Sequence, residues 1–556
     1  MIKQNCNIIT PKLMESRTAK IFLLTLLLFL SYIIFFHKLG SLTIEIWDEA
    51  RNSINALEMS ENGNYLVTTY QEKTDTWNTK PPLLIIFQAI FIKLFGVSEL
   101  SVRLPSAIAA TITVLFVFFF TSKYTKSHFI GFFSSFILLT TPGLVDIHGV
   151  RSGDYEAMLM LFTTLYSLFY LSYIETKKIK YLYFFSIAFT LAFMTKSAAA
   201  LLFLPALFIY TLYRKRVVHI LKSKHFYFSL AIPVIIIGCY YLYRTMLHPG
   251  YLKIIYENEF GGRYLNSIEG HVGEFSYYWK LFVNTKLKYW LFLALSGLFF
   301  IFFEKNYRIK RLYIYASLLS ITHLLVISVS ATKIHWYGLP EFPFWSIMAA
   351  ISLYQIICFT ARLLKNETAK KAITGIIIVV VLLFPMSDTI KRIQRCDNEY
   401  ASINTKMFLR DDITKHIDKT DKVTVLTTAP PQNLLFYIYD LQLKGYNIQL
   451  GKFNMVSQYD IVVLDEYQSS PIIAPVNILF DTQIITKYHQ SIVLSKIVKE
   501  RTPEEALDYA KQQLLDRENS NEIKSETEND ISFDDQIQEE ADAMIKNATA
   551  ILYSEY

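Results

Sequence analysis

Apolar positions in this chain fall in long uncharged runs, and short segments rich in lysine and arginine separate them. The first run, Ile21 to Phe36, carries no charge and follows Lys12, Arg17 and Lys20. Others approach the roughly 20 residues that cross a hydrocarbon layer. They lie near 103–121, 129–147, 155–174, 181–195, 198–213, 226–243, 281–303, 312–330, 338–361 and 372–388. The pattern predicts eleven transmembrane helices, or about 11–13 depending on how 181–213 and the apolar stretch 83–96 are counted. No small-residue cleavage site follows His37-Lys38, so the first run reads as a retained anchor.

Beyond Ser387 the pattern changes. Lys422–Thr427 and Tyr459–Leu464 read as strands, Gln432–Leu441 as a helix behind Pro430-Pro431, and Gln483–Ile497 as alternating strand material. These predict a small α/β domain over 395–500, after a transmembrane domain over 1–390. Residues 501–556 read as an acidic tail, helix-prone at Pro503–Leu515 and Asp535–Leu552.

Composition supports the membrane reading. Of 556 residues, 52% are hydrophobic and only 19% charged, against about 25% charged in a soluble domain. Forty-two Phe and 37 Tyr exclude a disordered chain. Four scattered cysteines give neither a disulfide framework nor a zinc spacing. The net charge of +7 divides unevenly: residues 501–556 hold 5 basic and 15 acidic side chains (−10), leaving 50 minus 33, or +17, in residues 1–500. That surplus sits in loops rather than in a nucleic-acid-binding patch, so no nucleic-acid partner is expected. Segments 1–20, 122–128, 175–180, 214–224, 304–311 and 362–371 hold 22 basic residues in 62 positions; the alternate segments hold 11 in 100. Basic loops stay cytoplasmic, so the N-terminus is expected inside. An odd span count then places the C-terminal portion outside.

The chemistry-bearing residues gather on that outer face. Trp47-Asp48-Glu49-Ala50-Arg51 follows the first span, and its acids suit a helix start, either as a base or as a cap. Trp77-Asn78-Thr79-Lys80-Pro81-Pro82 fixes a lysine before two prolines, where it can meet a phosphate or anchor a helix in the interface. Val150-Arg151-Ser152-Gly153-Asp154-Tyr155-Glu156 repeats the pairing of Arg and Asp one helical turn apart. The loop 244–280 contains Glu259, Arg263, His271, Tyr277, Tyr278 and several glycines, and suits a mobile loop closing over a polar ligand. Lys333-Ile334-His335-Trp336-Tyr337 lies between two late spans. No P-loop, dinucleotide fingerprint, HExxH or GxSxG is present.

In order, Asp48-Glu49-x-Arg51, Lys80-Pro81-Pro82-Leu83, Val102-Arg103-Leu104-Pro105-Ser106, Arg151-Ser-Gly-Asp154, Met194-Thr195-Lys196-Ser197, Arg263…His271…Tyr277-Tyr278 and Lys333-Ile-His-Trp-Tyr337 resemble the lipid A aminoarabinose transferase family. That family is related to the protein O-mannosyltransferases and belongs to the GT-C class. The resemblance covers about residues 20–390. It implies a GT-C-like polytopic α-helical membrane protein with a small C-terminal extracytoplasmic α/β domain, set in the bacterial inner membrane with a periplasmic catalytic face. It implies a sugar donor carried on a polyprenyl phosphate and a lipid or glycan acceptor (lipid A, another glycan or a protein). By the same resemblance Asp48, with Glu49, is catalytic. Arg51, Lys80, Arg151 and Arg263 meet the donor phosphate, and Asp154, His271, Tyr278, Lys333 and Tyr337 line the cavity. One departure stands out: the family's glutamate before Lys-Pro-Pro, which with the loop histidine can hold zinc, is here Thr79. No metal site and no other cofactor is therefore expected. The alternatives are a transporter of the glycolipid pathway, against which the charges lie at one face rather than at the midplane, and a noncatalytic membrane subunit.

Overall fold

The computed structural model describes residues 16–45, 47–267, 270–395, 403–426, 432–451, 455–465, 470–488, 492–520 and 533–553. The chain divides into two compact units. One comprises residues 1–42 and 55–397, the other 43–54 and 398–556.

The larger unit is helical. Its elements in order are α1 (Arg17–Ser31, prolonged by a wider turn Tyr32–Phe36), α2 (Asp48–Asn62, whose first residues belong to the other unit), α3 (Leu83–Phe95), α4 (Glu99–Thr125), α5 (His128–Leu139), α6 (Glu156–Thr176), α7 (Ile179–Lys196), α8 (Leu204–Tyr213), α9 (Lys224–Leu247), α10 (Leu291–Phe300), α11 (Tyr307–Val329), α12 (Phe342–Leu363) and α13 (Glu367–Arg395). Helix starts follow ordinary capping chemistry. Ser16, Ser98, Ser127 and Asn306 each accept a first-turn amide with the side-chain oxygen.

Eight helical stretches among the described residues are long and apolar enough to cross a membrane: Arg17–Phe36, Glu99–Thr125, Glu156–Thr176, Ile179–Leu201, Lys224–Leu247, Tyr307–Val329, Leu339–Leu363 and Glu367–Gln394. Three other expected spans are shorter helices, and each has a local cause. α5 stops at Leu139 because Pro142-Gly143 cannot continue it. α8 is preceded by a tight turn at Ser197–Leu201 and begins with Pro205 at its second position. The 281–303 stretch breaks at the wide turn Phe282–Lys286 before α10 resumes at Leu291. Leu83–Phe95 is a fourth short apolar helix. Large apolar side chains such as Phe22, Leu94, Phe302 and Leu383 project outward, which suits an element surrounded by lipid rather than water.

Buried apolar side chains from α4, α5, α6, α11 and α12 form one core, including Phe118, Phe133, Leu168, Leu319 and Trp345. Polar ties close its ends. At one end of α6, Glu175 receives Tyr210 at 2.9 Å, Arg214 at 2.8 Å and Arg311 at 2.6 Å. At the other end, some 30 Å away by helix rise, stands Glu156.

The smaller unit contains a five-stranded sheet. Its elements are β1 (Val423–Leu426), α14 (Gln432–Leu443), β2 (Ile448–Gly451), β3 (Ile461–Asp465), α15 (Ser470–Leu479), β4 (Phe480–Tyr488) and β5 (Ile492–Glu500), followed by α16 (Pro503–Ser520) and α17 (Phe533–Tyr553). The order is β2-β1-β3-β5-β4. β1 runs parallel to β2 and β3, and β5 runs antiparallel to β3 and β4. β1 is buried at all four positions, the pattern of a strand covered on both faces. Among the described residues, Leu426, Val462, Leu464, Val476, Phe480, Val493 and Ile497 form one apolar cluster of this unit.

Candidate active site

Within the larger unit, four separate loops converge on one polar cluster, and each is shaped by its own short-range bonding. The first begins at Asp75. Its buried carboxylate accepts the N–H groups of Trp77 at 2.9 Å and Asn78 at 3.0 Å through one oxygen, an Asx turn. The other oxygen accepts the Asn55 amide at 3.0 Å. Asn78 then donates to Asn55 Oδ1 at 3.0 Å and to the Tyr155 hydroxyl at 2.9 Å. This turn delivers Lys80, half-buried, with its ammonium 5.5 Å from the Tyr155 ring centre and 6.0 Å from that of Trp77. A cation held over two aromatic faces has a fixed direction.

The second loop, 145–155, precedes α6. His148 holds a left-handed backbone (φ +61°), and its Nδ1 lies 2.7 Å from Asp154 Oδ2. The imidazole packs at 3.7 Å on the Trp336 ring and 6.1 Å from His335. Arg151 directs its guanidinium to the carbonyls of Ile34 at 2.9 Å, His37 at 3.1 Å and Lys38 at 3.4 Å, capping the exit of α1. Asp146 accepts from Lys286 at 2.8 Å and from Arg392 at 3.2 Å. Glu156, at the first position of α6, pairs with Lys196 at the end of α7, both buried. The Lys196 ammonium stands 5.4 Å from the Tyr337 ring centre. A buried pair of this kind adds little net stability but costs about 3–5 kcal/mol when one member is removed.

The third loop runs from 248 to 276. Glu259 accepts from the Thr79 hydroxyl at 2.9 Å with one carboxylate oxygen and from the Ser197 hydroxyl at 2.9 Å with the other. Ser197 itself sits at φ +34°. Tyr251 donates to the Thr79 carbonyl at 3.3 Å. His271 is exposed, and its carbonyl accepts the Lys333 N–H at 2.9 Å. Arg263 begins a single helical turn, Arg263–Leu265, but its side chain lies outside the described residues.

The fourth loop, 330–338, follows α11. Lys333 is buried, with its ammonium on the carbonyls of Ile327 at 3.3 Å and Ser328 at 2.7 Å and on that of Ser330. It thus caps the end of α11, and burial lowers its pKa from the ordinary lysine value. The Tyr278 hydroxyl donates to the Ile334 carbonyl and accepts the Ile334 N–H, both at 3.1 Å. Burial, and after it the charge of Lys286, pushes the His335 pKa down to about 4.

The Asp48 segment belongs to the smaller unit. Glu49 is buried and accepts the Glu45 N–H at 2.8 Å. Of the two adjacent acids, Glu49 is committed to the backbone and Asp48 stays partly exposed at the helix start. Arg51 is half-buried, and its N–H donates to the Trp47 carbonyl at 2.9 Å. Ile46 lies outside the described residues.

Residues 79–242 match the family described as dolichyl-phosphate-mannose-protein mannosyltransferase. Two proteins of Aquifex aeolicus (strain VF5), each described as an uncharacterized protein, are related in sequence. One is 25% identical over 321 residues, covering 57% of this chain and 61% of the relative. The other is 31% identical over 103 residues, 18% and 24% respectively. The chain thus spans less than two thirds of the curated relatives it matches. Among solved structures, ArnT from Cupriavidus metallidurans in the apo state superposes with a TM-score of 0.62 at 13% identity, across 86% of this chain and 98% of that one. The same protein bound to undecaprenyl phosphate gives 0.60 at 14%, with equal coverage. The Archaeoglobus fulgidus oligosaccharyltransferase in the apo form gives 0.51 at 11%, across 86% and 75%. This is the GT-C fold.

The GT-C-like fold and the polytopic helical architecture expected from the sequence are therefore borne out. Within this GT-C fold the structure gathers Lys80, Asp154, Lys333, Tyr337, Tyr278 and His271 into adjoining loops of the larger unit, while Arg151 is turned onto the end of α1. The motifs did not single out His148, Glu156, Lys196 or Glu259 as site residues. Glu156 and Lys196 carried a signal: two ionisable residues at the ends of otherwise apolar spans need each other. His148 gave none, because its partner Asp154 and its ring neighbour Trp336 come together only in the fold.

Proposed function

We propose that this protein is an integral membrane glycosyltransferase that moves a sugar from a polyprenyl-phosphate-linked donor to an extracytoplasmic acceptor: lipid A, another glycan or a protein. The observation that carries the reading is the fixed presentation of Lys80 by the Asp75 turn in a GT-C fold, where a cation held in place suits an anionic lipid phosphate. In this reading the acceptor hydroxyl oxygen attacks the anomeric carbon and its proton passes to the Asp48 carboxylate. The bond between that carbon and the phosphate oxygen breaks, and the lipid phosphate leaves with the electron pair. Lys80, with Arg51 and Arg263, stabilises the charge that develops on the phosphate. Arg151 reaches the phosphate only after releasing the α1 carbonyls. Glu49, expected to be catalytic with Asp48, supports it by accepting the Glu45 N–H, and Asp154, oriented by His148, and His271, Tyr278, Lys333 and Tyr337 shape the walls.

Position 79 offers a hydroxyl, whereas zinc is held by thiolate, imidazole or carboxylate groups, so transfer is proposed to need no metal ion. The distribution of basic loops supports an inner-membrane protein with its N-terminus in the cytoplasm and the catalytic face and C-terminal unit in the periplasm.

The test compares two substitutions in membranes supplied with lipid-linked donor, with product read by mass spectrometry of lipid A and surface glycans. Asp48→Asn keeps size and capping ability but loses the proton acceptor, so transfer should fall by about 10² to 10⁴. Lys80→Ala should weaken donor affinity as well as turnover, because the donor is already an anion before reaction. Near-normal transfer by Asp48→Asn would end the assignment of the base and favour a noncatalytic subunit.

A further inference from the structure

Residues 43–54 fold with the C-terminal unit, and Ile44 is tied to it through both of its backbone groups. The Ile44 N–H donates to the Tyr437 hydroxyl at 2.8 Å, across 393 positions of sequence. The Ile44 carbonyl accepts the Lys406 ammonium at 2.8 Å, across 362 positions. Ile44 is 0% exposed, Tyr437 2% and Lys406 3%. Ile44 lies in no helix or strand, so both of its backbone groups depend on these two side chains. Losing either leaves a buried polar group unsatisfied.

Immediately after Ile44 the chain forms a hook. The Glu45 N–H binds the Glu49 carboxylate at 2.8 Å. Trp47 holds φ +67°, a conformation that a bulky residue keeps only where its surroundings over-determine it. The Arg51 N–H closes on the Trp47 carbonyl at 2.9 Å. α2 begins at Asp48, next to the strained residue. Tyr437 stands on α14 and Lys406 on the short helix Ile403–Met407.

We infer that Tyr437 and Lys406 are positioning residues for Asp48, holding through Ile44 the hook that aims the start of α2. The inference rests on the reading of Asp48 as general base. A general base must lie within hydrogen-bond reach of the proton it takes, and a displacement of about 1 Å costs about 10² in rate. Residues 398–556 are then part of the catalytic apparatus although they contribute no reacting group.

The experiment uses the full chain, with two readouts. The first is hydrogen exchange of the purified protein. In Tyr437→Phe, amides of residues 40–50 should lose protection while those of β1 and β3 keep theirs. The second is the amount of sugar-modified envelope glycan in cells carrying each variant. Tyr437→Phe and Lys406→Met should each lower it by about 10- to 100-fold, and Lys406→Arg should restore most of it. In an Asp48→Asn background, Tyr437→Phe should cause no further fall, because residues that act as one unit are not additive. Unchanged exchange at 40–50 in Tyr437→Phe overturns the inference, as does a further tenfold loss in the Asp48→Asn background. Loss of protection in β1 and β3 together with 40–50 also overturns it, since Tyr437 is then only a support of the sheet. A silent Asp48→Asn with altered exchange at 40–50 refutes the base reading instead, so the two failures are distinct.

Discussion

His335 gains its character from its surroundings, because an ordinary imidazole titrates near 6.5 and this one is pushed down to about 4 by burial and by Lys286. Between those values the unfolded chain binds a proton that the folded chain refuses, so stability from this group is present at neutral pH and declines as pH falls below about 6.5. Replacing His335 with Asn should flatten that decline. Thermal unfolding in detergent between pH 7 and pH 4 would measure it, and an acid slope unchanged in His335→Asn would assign the effect elsewhere. Thr79 is a second residue whose identity decides chemistry. Its hydroxyl donates to Glu259. Asp75 with His271 makes a poor substitute pair for a metal, because both Asp75 oxygens already accept hydrogen bonds. Chelator treatment should therefore leave transfer largely unchanged. A loss restored by added zinc would instead point to Glu259 as the carboxylate, since it lies against position 79.

At the scale of elements, the apolar runs identified the helices because a membrane span must satisfy its own backbone and carry few charges. Their ends were less legible. Pro142-Gly143 and the wide turn at Phe282–Lys286 shorten two spans where hydropathy alone runs on. In the C-terminal unit the strongly apolar strands could be read, but Ile448–Gly451 could not, because a short edge strand buried at one position of four carries no continuous apolar run. Ser470–Leu479 was missed because its two prolines argue against a helix. The site divides the same way. Asp48 and Lys80 announce themselves by local motifs, whereas Glu259 matters through two hydroxyls far away in the chain. That contact ties the wide turn Tyr256–Gly262 to the start of α3 and the end of α7. Glu259→Ala should release it, increasing hydrogen exchange and protease cleavage across residues 251–276 with little change in α4 to α6. Glu259→Gln, which keeps one carbonyl acceptor, should lie between. Equal protection in all three proteins would show that the loop is held by other contacts.

For the whole molecule, the basic loops and the site chemistry make one joint prediction about sidedness. α6 carries Glu156 at one end, beside Lys196 and the site loops, and Glu175 at the other, beside Arg214 and Arg311. A helix of 21 residues spans about 30 Å, enough to place its two ends on opposite membrane surfaces. The Glu175 end adjoins 175–180, 214–224 and 304–311, which are dense in lysine and arginine. Translocation of such segments is disfavoured, so this end should face the cytoplasm and the Glu156 end the periplasm. Single cysteines test this directly. Lys222 and Val272 are both exposed, so burial cannot mask either. In intact cells whose outer barrier admits a small membrane-impermeant thiol reagent, Val272→Cys should label above the parent chain and Lys222→Cys should not. After the membrane is opened, both should label. The reverse pattern would turn every candidate site residue toward the cytoplasm, where a donor on an externally exposed polyprenyl lipid could not reach Lys80, and the proposed transfer would fail with it.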